Sequence, residues 1–151
     1  MPASGELRRC GQDYRSAWEA AAQLDAQSAV LTGSSAEYFE WTGKRDAARV
    51  RQYLSEEATV LSIGCGVGRV ERYLAPHVRE LWAIDVSAEM LRQAEIRLSS
   101  FPNIHLREVG NADFLKSFDV GSFDVVFSYQ EPLTATLVGW AGKRSWSRWE
   151  L

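Results

Sequence analysis

The chain has 151 residues, 46% hydrophobic and 25% charged, the balance of one soluble globular domain. Lys and Arg number 17 against 20 Asp and Glu, a formal charge of −3, which argues against a broad basic face; no nucleic-acid partner is expected. Cys10 and Cys65 are too few for a disulfide framework and suit a reducing cytoplasm, and neither a membrane-spanning apolar run nor a signal-peptide core is read.

Residues 1–12 are small and polar and are expected to be a flexible start. Residues 13–31 are Ala-rich, with Trp18, Ala21, Ala22 and Leu24 available as the apolar stripe of a helix. TGSS at 32–35 is a loop that offers Ser34 or Ser35 as an N-cap. AEYFEWT at 36–42 crowds aromatics together, Gly43 is expected to break the segment, and KRDAARVRQYL at 44–54 forms the next helix on Ala47, Val50 and Leu54. The pattern then changes. TVLSI at 59–63 is a short apolar strand that runs into the turn Gly64-Cys65-Gly66-Val67-Gly68, and RVERYLAP continues as a helix stopped by Pro76. ELWAIDV at 80–86 is a second strand. SAEMLRQAEIRLSS at 87–100 is a helix capped by Ser87, with Leu91, Ala94 and Leu98 facing inward. NIHLREV at 103–109 alternates as a third strand, 110–122 is a loop or short helix with Asn111, Asp113 and Phe114, and SFDVVFSY at 122–129 is a fourth strand. Strands alternating with helices indicate βαβ units and a mostly parallel sheet.

The strand–GxGxG–helix element carries the chemistry. Glycines let a ligand approach main-chain N–H groups at the head of a helix. Asp85 ends the next strand about 20 residues on, where a carboxylate in doubly wound folds reaches ribose hydroxyls. Together they point to a nucleoside-containing cofactor. Arg69 stands where a dinucleotide fingerprint needs a small residue, and no Lys-Ser/Thr pair completes a P-loop, so NAD(P) and nucleoside triphosphates fit poorly.

The segments VLSIGCGVGRVERYL, LWAIDVSAEMLRQAEIRL, LREVGNADFL and GSFDVVFSY resemble the class I S-adenosylmethionine-dependent methyltransferases over residues 13–129. The resemblance implies an α/β fold, a Rossmann-like parallel sheet of strand order 3-2-1-4 with an N-terminal helical cap, and S-adenosyl-L-methionine as cofactor. Gly64, Gly66 and Gly68, with Cys65 between them, match the turn around the cofactor's methionine and ribose. Asp85 matches the ribose acid, and Val86 and Met90 the residues beside the adenine. Ala112 and Asp113 match the segment at the adenine edge, and Ser128, followed by Tyr129, matches the residues near the methyl group. The acceptor is expected to be a small molecule. Tyr129 or Glu131 could touch it, but no catalytic base is nominated and no metal is expected.

Two departures stand out. The family commonly has an acid just before the final Ile-Gly of strand one, where it helps hold the methionine end; here it is Ser62. The family sheet has seven strands, and too little chain follows Ser128 to build the remaining ones with their helices. The expectation is therefore a C-terminally incomplete sheet with a divergent, poorly packed tail at 130–151, exposed Trp146 and Trp149, and a free edge at VVF 125–127 open to self-association. A catalytically inactive cofactor-binding fragment and, less well supported, an NAD(P)-type oxidoreductase are the alternatives. Among smaller signals, Cys65 reads as a small turn residue before a reactive thiol, His77 as solvated and His105 as structural. The EYFEW aromatics serve equally as a lid or as packing.

Overall fold

The computed structural model describes residues 4–110, 116–119, 121–131, 134–140 and 146–150. At its centre is β1, Thr59–Ile63, a strand buried along almost its whole length. A strand covered on both faces must be apolar throughout, and this one is apart from its first residue and Ser62. Parallel β2 (Glu80–Asp85) pairs on one side of it, parallel β4 (Val125–Glu131) on the other, and parallel β3 (Ile104–Glu108) beyond β2. The order β3-β2-β1-β4 is the one expected from the sequence, and it reverses between β1 and β4. Asp124 clamps the start of β4: its carboxylate accepts the Thr59 N–H at 2.8 Å, and its own N–H donates to the Thr59 carbonyl at 2.8 Å.

Among the described residues, four α-helices surround the sheet: α1 (Ser4–Val30), α2 (Ala36–Arg51), α3 (Glu71–Leu74) and α4 (Ala88–Leu98). Val50 of α2 and Leu74 of α3 bury against Val60, Leu81 and Phe127 on one face of the sheet. Leu61, Ile84 and Val126 form the core of the other face, with Trp82, Phe118 and Phe123 at its margin. A separate cluster of Ala22, Leu31, Phe39, Val67 and Met90 ties α1 and α2 to the turn after β1 and to α4. Each large apolar side chain removed from water contributes on the order of 1.5–3 kcal/mol.

The helical cap differs from expectation in three ways. Helical backbone starts at Ser4, upstream of Asp13. The helix then breaks at Asp25 (φ −161°, ψ 98°), whose carboxylate accepts the Ser28 N–H at 3.1 Å and the Ser28 hydroxyl at 2.7 Å, so Asp25 caps a second helical piece. Leu24, expected on the apolar stripe, is 90% exposed beside this break, while Ala22 is buried.

Gly43 does not break the second helix. It lies inside α2, where an added Cβ would stand 2.5 Å from the Arg69 carbonyl oxygen. The glycine serves close approach rather than chain reversal, and Ser35 is the N-cap, accepting the Tyr38 N–H at 3.1 Å.

The edge of β4 is also not free. β5 (Thr134–Trp140) pairs antiparallel with β4, with Val126 opposite Val138, and β6 (Trp146–Glu150) pairs antiparallel with β5. An antiparallel partner needs no crossover helix, so a short segment can cover an edge that a βαβ unit could not. The side chains of Trp146 and Trp149, whose exposure was expected, lie outside those described.

Candidate functional site

The turn after β1 is set by backbone geometry. The N–H groups of Gly64 and Cys65 both donate to the Ile84 carbonyl of β2, at 2.8 and 3.0 Å. Gly64, Gly66 and Gly68 have φ of 72°, 54° and 78°, a region that side chains other than glycine's rarely enter. Space adds a second demand at Gly68, where a Cβ would stand 2.6 Å from Leu98 Cδ1 of α4. Val30 of α1 lies over the middle of the turn, 3.1 Å from where a Gly66 Cβ would be.

Asp85, the last residue of β2, is buried against this turn. Its carboxylate accepts the Gly66 N–H at 2.8 Å and the Ser87 N–H at 3.0 Å. Burial pushes its carboxyl above the usual carboxylate range, against the pull of these N–H groups. A carboxylate has about four acceptor sites. Two are taken by these bonds and the Val86 N–H also acts on the carboxylate, so acceptor capacity remains for a ligand's hydroxyl. Glu19 of α1 reaches the same corner, accepting the Ser87 hydroxyl at 2.6 Å and the Glu89 N–H at 3.3 Å. The Ser87 bond is the main reason its carboxyl lies below the usual range. Ser87 caps α4 as expected, accepting the Met90 N–H at 3.1 Å.

The remaining sequence-derived positions fall as follows. Val86 is half-buried against the Leu61–Ile84 cluster, and Met90 is buried with Val67 and Phe39. Ser128 donates its hydroxyl to the Ile63 carbonyl at 3.0 Å, joining β4 to β1 where the strand order reverses. Cys65 is buried within the turn, and burial pushes its thiol well up, so it stays protonated and is no nucleophile. Tyr129 is half-buried, and burial together with the charge of Asp46 raises its phenol. It is therefore a hydrogen-bond donor near neutrality, not a base. Asn111, Ala112 and Asp113, and the side chain of Glu131, lie outside the described residues. The structure thus brings the turn, Asp85, Val86, Met90 and Ser128 to the carboxyl end of one sheet.

The smaller signals also resolve. Phe39 is core, while Tyr38 and Trp41 are exposed and stacked, with ring centroids 5.7 Å apart. His105 stacks on Trp82 at 4.7 Å and contacts Glu80. Among the described residues no group of His, Cys, Asp or Glu could hold a metal ion. A groove of about 750 Å³ between α4 and β3, lined by Trp82, Leu91, Phe101 and Leu106, includes neither the turn nor Asp85.

Sequence reasoning missed a polar network on the other side of the turn. Arg69 is buried, and its Nη1 donates to Asp46 Oδ2 at 2.8 Å, while Arg45 donates to Asp46 Oδ1. The Ser62 hydroxyl donates to Glu71 Oε1 at 2.5 Å. Glu71 is 2% exposed, and its Oε2 has no hydrogen-bond partner among the described residues. Burial pushes this carboxyl above the usual range as well. The helical spacing held the signal: Glu71 adjoins Val70 and precedes Leu74, and both of these face the core.

A family described as "Methyltransferase domain" matches residues 60–138, running past Tyr129 into β5. The probable cobalt-precorrin-6B C(15)-methyltransferase (decarboxylating) of Archaeoglobus fulgidus is 45% identical over 65 residues, 43% of this chain and 37% of that protein. Among solved structures, phosphoethanolamine N-methyltransferase 1 of Haemonchus contortus superposes with a TM-score of 0.68 at 23% identity, over 82% of this chain and 25% of that one. The YcgJ protein of Bacillus subtilis gives a TM-score of 0.50 at 25% identity, over 56% and 37% of the two chains. The chain therefore spans well under half the length of each of these three relatives.

Proposed function

The chain belongs to the methyltransferase-domain family, and from that premise we propose that it binds S-adenosyl-L-methionine at the carboxyl end of its sheet and directs the methyl group to a small-molecule acceptor. The observation that carries this reading is the glycine turn joined to Asp85, a left-handed backbone closed onto a buried carboxylate at the point of strand reversal. The cofactor supplies an electrophilic methyl group on a sulfonium. The chain's residues bind and orient. Asp85 takes the ribose hydroxyls on its unused acceptor sites. Val86 and Met90 stand beside the adenine, and the resemblance assigns Ala112 and Asp113, which lie outside the described residues, to its edge. Ser128 and the donor Tyr129 lie at the methyl-bearing end. In-line displacement asks mainly for alignment and exclusion of water, so no general base is required of the described residues. The archaeal relative's name, a precorrin methyltransferase, supports a small acceptor. No helix among the described residues is long and apolar enough to cross a membrane, and a reducing cytoplasm suits the unpaired thiol of Cys65.

Calorimetry with S-adenosylhomocysteine and with NADH tests the cofactor. The homocysteine compound binds and NADH does not, because Arg69 fills the place a dinucleotide turn keeps small. Asp85→Asn weakens binding about tenfold, about 1.4 kcal/mol, since charge-assisted hydrogen bonds become neutral ones. A folded chain that binds NADH, or a variant with unchanged affinity, refutes the assignment. Turnover with candidate acceptors then separates a methyltransferase from a binding module.

A further inference from the structure

The carboxyl of Glu71 is buried beside the turn with one of its oxygens unpaired among the described residues. One oxygen accepts from Ser62, and the other has no hydrogen-bond partner among the described residues, although the backbone N–H groups of Val70 and Glu71 at the start of α3 favour the charged carboxyl. A buried acceptor left in that state costs free energy and calls for an explanation, such as a ligand that supplies the donor. The protein's own cation nearby does not answer it. Arg69 acts on Glu71 electrostatically, but its guanidinium is hydrogen-bonded to Asp46 at 2.8 Å. The position is specific. Ser62 lies two residues before the glycine turn, and Glu71 opens α3 just after it. The turn therefore has an acid at each flank: Asp85 on the Gly66 N–H, and Glu71 behind Ser62. The Cys65 thiol, between them, is raised first by burial and then by both charges.

We propose that Glu71, oriented by Ser62, binds the primary ammonium at the amino-acid end of the cofactor. The proposal rests on the cofactor reading above and adds a residue to it. An ammonium has three donors and no acceptor. It complements an unpaired carboxylate oxygen, which a neutral hydroxyl at position 62 alone does not offer. The Ser62–Glu71 hydrogen bond thus returns a carboxylate to the place where strand one itself lacks an acid, from the far side of the turn. Shielded from water, such a charge-assisted contact is stronger than on a surface.

The test crosses two proteins with two ligands. S-adenosylhomocysteine carries the amino-acid end, and 5′-methylthioadenosine keeps the nucleoside and thioether without it. Glu71→Gln keeps a carbonyl to accept from Ser62, and thermal melting checks that the variant folds. It weakens S-adenosylhomocysteine ten- to a hundredfold, the usual range for a hydrogen bond to a charged group, and leaves 5′-methylthioadenosine within about twofold. Equal loss for both ligands, or loss for neither, overturns the role of Glu71 while the cofactor reading stands. If the wild-type chain binds neither ligand, both fall. Should the variant fail to fold, the wild-type chain decides alone. It binds the S-adenosylhomocysteine analogue with hydrogen in place of the amino group at least about tenfold more weakly, and equal affinity overturns the proposal.

Discussion

Gly43→Ala sets helix propensity against packing, and the structure decides the sign. Gly43 is in the interior of α2, where alanine in place of glycine ordinarily stabilises a helix by about 1 kcal/mol. The new Cβ, however, would stand 2.5 Å from the Arg69 carbonyl oxygen, 3.0 Å from Arg69 Cγ and 3.2 Å from the Arg69 carbonyl carbon. Carbon–oxygen contacts settle near about 3.3–3.6 Å, so the backbone at Arg69 must move by roughly 0.8 Å. That backbone is held by the Arg69–Asp46 pair and leads directly out of the glycine turn. Overpacking costs about 1–3 kcal/mol, and a clash with backbone belongs at the upper end. Set against the propensity gain, the net effect is a loss of about 2 kcal/mol. At about 2–4 °C per kcal/mol for a chain of this size, the melting temperature falls by about 4–8 °C. Urea unfolding followed by circular dichroism measures it, and S-adenosylhomocysteine affinity falls in parallel as the turn shifts. Ala48→Gly, at an exposed site of the same helix, is the control and loses about 1 kcal/mol by propensity alone. A Gly43→Ala protein as stable as wild type, with the control behaving as stated, refutes the close-approach argument.

Asp46→Ala leaves the buried guanidinium of Arg69 without its partner and destabilises by about 3–5 kcal/mol; an unfolding midpoint close to wild type would show that the pair is dispensable. Glu71→Gln changes the pH dependence of stability in the absence of ligand. Because burial raises its folded pKa above the ordinary 4.5, the native state binds that proton more tightly than the unfolded chain. Wild type therefore loses stability as pH rises from the unfolded value through the raised one, and the variant lacks this loss. Asp85 slopes the same way, and Glu19, whose pKa is lowered, slopes oppositely, losing its contribution as pH falls through its folded value. Urea midpoints from about pH 4 to 8 for both proteins measure the difference, and a difference constant with pH refutes it.

The parallel half of the sheet was legible because each strand carried its own period and each helix its own stop or cap. TVLSI, ELWAIDV and NIHLREV fall within a residue of β1, β2 and β3, and Ser87 caps α4 where its position beside an apolar stripe said it would. Failures occurred where tertiary contact overrides local preference. Gly43 looks like a breaker until Arg69 is seen against it, and Leu24 fits a stripe that Asp25 interrupts. The strand pairing of β5 was hidden for another reason. The expectation assumed that sheet growth requires a crossover helix, whereas TATLVGW reaches β4 by running back along it. At the site, the glycines and Asp85 announce themselves through backbone need and strand position. Glu71 and Asp46 look like ordinary helix charges, and only the packing of α2 and α3 onto the turn makes them interior groups.

The placement of these interior charges bears on how the fold and the ligand depend on each other. Two carboxyls whose pKa burial raises, Asp85 and Glu71, flank one short turn, and both weaken the ligand-free chain at neutral pH because each must either hold a proton or stay charged out of water. A core built for stability alone would replace the Ser62–Glu71 pair with apolar residues, since β1 is otherwise almost wholly apolar. Their joint presence is intelligible if a ligand brings donors to both, hydroxyls to Asp85 and an ammonium to Glu71. Ligand binding then adds stability as RT ln(1 + [L]/Kd), about 2.7 kcal/mol at a hundredfold excess over Kd. That figure already contains the relief of the two buried carboxyls, so groups whose burial is costly in the empty turn are the ones that would fix the cofactor's orientation across it.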